Sequence, residues 1–295
     1  MRLFLLFGIA LLFLSCSAQT PEFNKEEAFA FLEFQCDLGP RAPGTEEIQL
    51  CRNYIISKLE EYNASVTEQK FTAILRDENY DGVNIIGTFN PMQSRRILLA
   101  AHYDTRLWAD KDSNPDNHSK AIIGANDAAS GVAVLLEIAS VISKQNPQEY
   151  GVDLVFFDLE DLGDYENTSS WCKGSQFFAD SFSGVKPEKA IVIDMIGDVD
   201  LNITIEYQSY RNSPALVNQV WDIAKDYGFS EFEYKITAAI TDDHIPLINI
   251  GINAIDIIDF DYPYWHTIND TRDKCSPHSL YVVGQTLLEL IYTAE

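Results

Sequence analysis

Hydrophobic and polar positions divide the chain into two helical stretches followed by an alternating pattern. Residues 25–38 and 46–62 carry apolar side chains at helical spacing, and a break rich in glycine and proline lies between them. Farther along, short apolar runs alternate with longer helical patterns. The pattern predicts strands over 84–89, 97–102, 152–158, 190–195 and 252–258, and helices over 130–144, 173–181, 213–227 and 277 to about 292. Strands that alternate with helices are typical of a mostly parallel central sheet with helices on both faces, so we expect a three-layer α/β fold.

The first 18 residues follow a different pattern and are excluded from the predicted fold. Arg2 precedes an unbroken apolar run over 3–14, which is too short to span a bilayer and is typical of an export signal. Residues 14–16 resemble a bacterial lipobox, which favours a lipid anchor at Cys16. Cleavage after Ala18 is the alternative, and it leaves Gln19 as the new N-terminus. We therefore expect an exported protein of the bacterial cell envelope or periplasm.

The rest of the chain is expected to form a single catalytic domain over residues 25–295. The sequence is 46% hydrophobic, enough to bury a large core, and no repeat, low-complexity tract or linker divides it. The formal charge of −24 repels phosphate backbones and argues against nucleic acid as a partner. Besides Cys16, the cysteines are Cys36, Cys51, Cys172 and Cys275. Their state is open between buried thiols and a structural bridge, and without CxxC spacing any metal site must rely on histidine and carboxylates.

Metal-capable residues stand at the ends of four predicted strands. They are His102 and Asp104, Glu160 and Asp161, Asp194, and His266, which follows Trp265. Ligands of open α/β sheets bind in the crevice outside the carboxyl ends of the strands, so we expect these side chains to converge. Asp127 precedes a helical stretch, whose positive N-terminus keeps a carboxylate ionised. Any one of these residues alone is more often a cap, a turn former or a hydrogen-bonded core residue, and only their combination indicates a site.

The order of the motifs resembles that of the zinc-exopeptidase superfamily, which contains di-zinc aminopeptidases and glutaminyl cyclases. The motifs are His-x-Asp, Asn-Asp, Glu-Asp, Asp-Met-x-Gly, Asp-Asp-His and Trp-His-Thr, within a resemblance that spans about residues 25–292. The resemblance implies that five residues fall on the two-zinc positions of the aminopeptidases: His102, Asp127, Asp161, Asp194 and His266. It also implies that Glu160 is the general base and that the peptide bond from Asp127 to Ala128 is cis. Asp161 departs from the glutamate that is common at its position, but bacterial cyclases carry Asp there.

Two features make the chain more similar to the cyclases than to the peptidases. Asp242 adds an acidic residue where aminopeptidases usually have Ser-Asp-His, and Trp265 directly precedes His266. The resemblance therefore implies an acyltransferase that closes the N-terminal glutamine of peptides and proteins to pyroglutamate and releases ammonia. A di-zinc aminopeptidase that removes N-terminal residues is the alternative. A non-catalytic binding protein is the third interpretation, and the intact Glu160 argues against it.

In the cyclases a single zinc is held by the residues that match Asp127, Asp161 and His266. His102 and Asp194, the partners of the lost second metal, remain there as hydrogen-bonding groups. The resemblance thus implies one zinc per chain. We expect a monomeric enzyme whose substrates are peptides or proteins with an N-terminal glutamine.

The chemistry of cyclisation assigns roles to the remaining residues. The free α-amine attacks the γ-carboxamide carbon, and Glu160 takes the proton of the amine and returns it to the leaving nitrogen. Zinc with an open fourth position polarises the γ-carbonyl group. We expect Asp194 and Asp242 to be a proton-sharing pair behind Glu160, because adjacent like charges raise its pKa. The predicted walls of the substrate pocket are Trp265, Trp108 and Ile245, with a core or exposed position as the alternative for the tryptophans.

Overall fold

Helices and strands alternate along residues 19–293, the part of the chain that this computed structural model describes. The α-helices are α1 (Lys25–Leu38), α2 (Glu46–Glu61), α3 (Ala129–Lys144), α4 (Lys173–Asp180), α5 (Tyr207–Asn212), α6 (Pro214–Asp226), α7 (His244–Asn249) and α8 (Pro277–Tyr292). The strands are β1 (Ser65–Leu75), β2 (Glu78–Phe89), β3 (Arg96–His102), β4 (Gly151–Phe157), β5 (Lys189–Asp194), β6 (Ile203–Ile205), β7 (Phe232–Ile236) and β8 (Ala254–Ile258). Within these described residues no helix has the length and apolarity to cross a membrane. The predicted signal region 1–18, with Cys16, lies outside them.

Six strands form one mixed sheet in the order β1-β2-β4-β3-β5-β8. The pairs β4–β3, β3–β5 and β5–β8 are parallel, whereas β1–β2 and β2–β4 are antiparallel. Each connection between parallel strands passes through at least one helix, as a parallel crossover requires. β6 and β7 form a separate parallel pair. The predicted three-layer α/β fold is confirmed, with an antiparallel hairpin added at one edge of the sheet.

The sheet separates two hydrophobic cores. β3 is buried at every position and points Leu99 to one face and Leu98 to the other. The larger core lies between the sheet and a layer of helices that includes α1, α3 and α8, and the smaller core lies under α4 and α7. Gly131 lets α3 approach the sheet, because a Cβ there would lie only 2.8 Å from the backbone oxygen of Ile193.

The predicted helices and central strands agree well with the structure, whereas the prediction for the edge of the sheet does not. α1 has the predicted bounds, but β2 begins at Glu78 instead of residue 84. β1 is missing from the prediction because most of its positions are exposed and polar, so it carries only a short apolar alternation. The short elements β6, α5 and α7 contain too few residues for a periodic pattern.

The cysteines of the described region are buried thiols, which decides between the two alternatives left open by the sequence. Cys36, Cys51, Cys172 and Cys275 are all free and buried. Burial raises the pKa of Cys51 to about 11, so this thiol stays protonated at neutral pH.

Arg41 ties the break between α1 and α2 to the loop before α3. Its guanidinium is fully buried and donates hydrogen bonds to the carbonyl oxygens of Ile123 and Gly124, both at 2.8 Å. It also donates to the carbonyl oxygens of Tyr103 at 3.3 Å and Gln35 at 3.4 Å. A single buried cation therefore satisfies carbonyl groups from three separate segments of the chain.

We predict that Arg41→Met lowers the free energy of unfolding by roughly 3 kcal/mol or more, because several buried carbonyl groups lose their donor at once. Urea denaturation measures the change. The matched control is Arg211→Met, at an exposed position of α5, for which we expect a change within about 0.5 kcal/mol. Equal stabilities of the two variants would contradict the role assigned to Arg41.

Candidate active site and metal centre

Two overlapping clusters of metal-capable side chains lie at the carboxyl end of the sheet. One contains Asp127, Asp161 and His266, the other His102, Asp127 and Asp194, and within each cluster the ligand atoms lie within 4.8 Å of one another. Asp127 belongs to both. Its Oδ2 lies 3.5 Å from the Nε2 of His266, and its Oδ1 lies 3.1 Å from the Nε2 of His102. The fold thus brings together the five residues that the order of the motifs indicates.

The turn before α3 holds the Asp127 carboxylate in place. Gly124 has φ +63, and a Cβ there would lie 2.2 Å from the carbonyl oxygen of Asp127, so this position requires glycine. The peptide bond from Asp127 to Ala128 is cis, as the resemblance implies. From the loop between β8 and α8, the buried Asp270 carboxylate accepts hydrogen bonds from the backbone N–H groups of Asn126 at 2.9 Å and Asp127 at 3.2 Å.

The turn after β4 presents Glu160 and Asp161 side by side. Leu159 adopts a left-handed backbone conformation with φ +57 just before them. Asp104, which follows β3, accepts hydrogen bonds from the backbone N–H groups of Glu160 and Asp161, both at 3.1 Å. Asp104 therefore fixes the position of this turn relative to the neighbouring strand.

Asp127, Asp161 and His266 fit a zinc ion. All three are buried, and apart from the imidazole of His266 no hydrogen-bond donor among the described residues reaches the carboxylate oxygens of Asp161. Oδ1 of Asp161 lies 3.0 Å from the Nε2 of His266. Buried carboxylate oxygens without partners are costly unless a cation neutralises them. Imidazole nitrogen and carboxylate oxygen are both zinc ligands, and three protein ligands leave the fourth position open for substrate.

Glu160 lies beside this cluster in a buried, acidic environment. Burial raises the pKa of its carboxyl group well above the ordinary value. The positive charge of His102 opposes this shift, whereas the carboxylates of Asp161 and Asp242 raise the pKa further. The thiol of Cys172 donates a hydrogen bond to Oε1 of Glu160 at 3.2 Å. A carboxyl group with a raised pKa is suited to taking up and releasing a proton during catalysis.

Asp194 and Asp242 lie near Glu160 and line the same pocket, and each has a further contact. Oδ1 of Asp194 lies 3.2 Å from the Nε2 of His102, and burial raises the pKa of Asp194 to about 7. Asp242 is buried, and its Oδ1 accepts a hydrogen bond from the backbone N–H group of Asp243 at 2.5 Å. The pKa of the nearby Asp256 carboxyl group of β8 is raised by burial and by the neighbouring carboxylates of Asp242 and Asp194. The proton-sharing pair of Asp194 and Asp242 therefore stays a prediction, and the contact observed for Asp194 is the one with His102.

A pocket of about 250 Å³ opens beside Glu160 and His266. Asp194 and Asp242 also line it. Its aromatic and aliphatic walls are Tyr165, Trp171, Met195, Ile240, Ile258, Phe260 and Trp265. A small apolar pocket with a few convergent polar groups is typical of a site that accepts one side chain.

Of the predicted wall residues, Trp265 lines the pocket, whereas Trp108 and Ile245 do not. The indole of Trp108 lies 5.2 Å from the guanidinium carbons of Arg76 and Arg106, and it packs on a small core next to β1. Ile245 is half-buried on α7. The predictions for Trp108 and Ile245 fail for the same reason. An apolar side chain near a motif packs equally well into the core or against a pocket, and the path of the loops determines which of the two occurs.

Sequence reasoning missed two aromatic residues on the loop between β4 and α4. The hydroxyl oxygen of Tyr165 lies 2.8 Å from the Nδ1 of His266. The indole of Trp171 is stacked on the His266 imidazole, with ring centroids 6.0 Å apart and planes inclined by 10°. The signal that could have indicated them is the pair of aromatic residues shortly after Glu160 and Asp161, in a loop that begins at the site.

Comparison with known proteins identifies the family. The model of peptidase family M28 matches residues 84–291, which include all five residues of the two clusters. The glutaminyl cyclase of Bacteroides thetaiotaomicron, solved with N-acetylhistamine, is 38% identical, with a TM-score of 0.91 over 94% of this chain and 100% of that chain. A leucine aminopeptidase precursor of the same species is also 38% identical, with a TM-score of 0.90 over 94% of this chain and 99% of that chain. The glutaminyl-peptide cyclotransferase of Boiga dendrophila is 25% identical over 293 residues, 86% of this chain and 78% of that protein. The chain therefore belongs to peptidase family M28 and groups with its bacterial glutaminyl cyclases.

Proposed function

We propose that this protein is a glutaminyl-peptide cyclotransferase, which closes the N-terminal glutamine of peptides and proteins to pyroglutamate and releases ammonia. One observation carries the proposal. The buried Glu160 carboxyl group and the ligand His266 line the same small apolar pocket, which is sized for one side chain. A γ-carboxamide in this pocket lies within reach of both an acid–base group and a metal ligand set.

Glu160 moves the proton that the reaction transfers. The α-amine of the substrate forms a bond to the γ-carboxamide carbon, and the bond from that carbon to the amide nitrogen breaks. Glu160 takes one proton from the attacking amine and delivers it to the departing nitrogen, which leaves as ammonia. Zinc bound by Asp127, Asp161 and His266 would act as a Lewis acid that polarises the γ-carbonyl group.

The remaining pocket residues orient the substrate and exclude water. Trp171, Trp265 and Phe260 form apolar walls around the glutamine side chain, which keeps a competing water molecule away from the carbonyl carbon. Asp194 lines the same pocket, and its contact with His102 fixes its carboxylate, which can accept a hydrogen bond from the α-amine. Positioning of both reacting groups within one molecule is an effective source of rate acceleration.

We propose one zinc per chain. His102 supports this stoichiometry, because its Nε2 lies at hydrogen-bonding distance from Oδ1 of both Asp127 and Asp194, at 3.1 and 3.2 Å. A di-zinc aminopeptidase is the second candidate function. It is favoured by the second complete cluster around His102 and by the similarity to a leucine aminopeptidase precursor.

The setting of the reaction is also a proposal. We propose that residues 1–18 direct export to the bacterial cell envelope or periplasm and that Cys16 carries a lipid anchor, on the strength of the sequence pattern. The protein acts there as a monomer, and its substrates are exported peptides and proteins that begin with glutamine.

We predict that a strong zinc chelator abolishes ammonia release from a glutamine-initiated dipeptide and that about one equivalent of zinc restores it, as for a site with three protein ligands. Zinc titration of the apoprotein, with ammonia release as the readout, measures this. An aminopeptidase substrate is assayed in parallel. Recovery that needs two equivalents, together with release of N-terminal residues, would support the peptidase.

We predict that Glu160→Gln retains zinc and lowers kcat by about 10²-fold or more, because the ligands remain and the proton shuttle is removed. Metal analysis and steady-state kinetics test both parts. Glu166→Gln, an exposed position on the same loop, is the matched control and keeps the wild-type kcat. Loss of zinc from the Glu160 variant would show that this residue is a ligand.

We predict that Asp242→Ala lowers kcat and moves the acidic limb of the activity profile toward lower pH by roughly one unit. The charge of Asp242 raises the pKa of Glu160, so its removal lowers that pKa, and Glu160 becomes an active base at lower pH. Zinc occupancy stays intact because Asp242 is outside the three-ligand cluster. Asp242→Asn removes the charge but keeps the size of the side chain, so we expect it to move the acidic limb in the same direction. An acidic limb that does not move in either variant would rule out this electrostatic role.

A further inference from the structure

Aromatic side chains enclose the imidazole of His266 on three sides. Trp265 packs on it with ring centroids 4.1 Å apart, and Trp171 is stacked on it at 6.0 Å. The hydroxyl group of Tyr165 lies 2.8 Å from its Nδ1. His266 is consequently almost fully buried, and its Nε2 faces the carboxylates of Asp161 and Asp127.

The geometry decides which nitrogen of His266 carries the proton. Nε2 lies 3.0 Å from Oδ1 of Asp161 and 3.5 Å from Oδ2 of Asp127, so it is the nitrogen that faces the metal site. A metal on Nε2 requires the proton on Nδ1, which then donates its hydrogen bond to the hydroxyl oxygen of Tyr165.

Asp110 is the other candidate partner for Nδ1, and it is placed less well. Its Oδ1 lies 3.6 Å from the Nδ1 of His266, beyond hydrogen-bonding distance. Its Oδ2 is engaged by the guanidinium of Arg106 at 2.6 Å. A carboxylate is the more common partner of a metal-bound imidazole, but here the phenol of Tyr165 takes that position.

Tyr165 is itself held by several contacts, although it is half-exposed at the mouth of the pocket. Its ring packs on Trp171 at 5.2 Å and meets Trp265 edge to face at 6.4 Å. The ammonium group of Lys111 lies 4.2 Å from the ring centroid. The loop that carries Tyr165 is tied down at Gly163, whose carbonyl oxygen accepts a hydrogen bond from Arg106 at 2.7 Å.

We propose that Tyr165 is a positioning residue for the metal ligand His266 and at the same time a wall of the substrate pocket. Its hydroxyl group fixes the ring orientation and the tautomer of the imidazole, and its aromatic ring closes the pocket over the substrate. This inference rests on the metal site of the proposed function. The two roles belong to different parts of one side chain, so two substitutions separate them.

The test measures the zinc affinity of the apoprotein by competition with a chromogenic chelator. Tyr165→Phe keeps the ring and removes the hydrogen-bond acceptor, so we expect zinc to bind about tenfold more weakly, as for other groups that support a ligand. Tyr165→Ala removes the wall as well, so we expect weaker zinc binding together with a raised KM for a glutamine-initiated dipeptide. In the Phe variant at saturating zinc, KM changes much less than in the Ala variant.

Tyr264→Phe is the matched control, because this nearby tyrosine packs on Tyr262 at 5.6 Å and is absent from the lining of the pocket. We expect it to keep the zinc affinity of the wild type. Three results would each overturn the proposal: an unchanged affinity in Tyr165→Phe, an equal loss in Tyr264→Phe, or a larger loss in Asp110→Asn. Since the readout is zinc binding itself, these results do not depend on whether the wild type releases ammonia from glutaminyl peptides.

Discussion

The burial of negative charge is the constraint on which the rest of the site depends. The carboxyl groups that meet at the carboxyl end of the sheet belong to Asp104, Asp127, Glu160, Asp161, Asp194, Asp242, Asp243 and Asp256, and nearly all of them are buried. A buried carboxylate is costly unless it binds a cation, accepts hydrogen bonds or keeps its proton. Each group must therefore be satisfied in one of these three ways, and the way it is satisfied determines what it can do.

The three solutions divide the site into parts with different chemistry. Asp104 accepts hydrogen bonds from two backbone N–H groups and so has a structural role, because it fixes the turn that carries Glu160 and Asp161. Asp127 and Asp161 both face the imidazole of His266, and the oxygens of Asp161 have no other hydrogen-bond donor among the described residues, so this cluster is the one that fits a metal ion. Glu160 lies beside this cluster, where burial and the carboxylates of Asp161 and Asp242 raise its pKa, and this suits the proton transfer proposed for it. In the proposed function, metal binding and proton transfer are therefore neighbours in one pocket.

The sequence predicts the central fold and the residues that converge, because both follow from regular backbone geometry. Buried strands and amphipathic helices have strong periodic signals, and the carboxyl ends of parallel strands must meet at one edge. The edge strand β1 and the walls of the pocket lack such a rule. Trp108, Ile245 and Tyr165 lie on a loop, a short helix and another loop, and the packing of such segments depends on contacts between residues that are far apart in the chain.

Asp161 reaches the site with a side chain one methylene shorter than the glutamate that the resemblance gives as common at its position. The resemblance implies that many family members have a glutamate at this position. The aspartate of this chain places its carboxylate one methylene closer to the backbone. Asp104 accepts hydrogen bonds from the backbone N–H groups of both Glu160 and Asp161, and the left-handed residue Leu159 precedes them, so the backbone of this turn is held next to the residue that follows β3. The Asp161 carboxylate still lies 3.0 Å from His266. Because Asp104 holds both residues of the turn, the constraint that places Asp161 beside His266 also fixes the position of Glu160. In the proposed function, the metal ligand and the general base therefore both depend on one buried carboxylate.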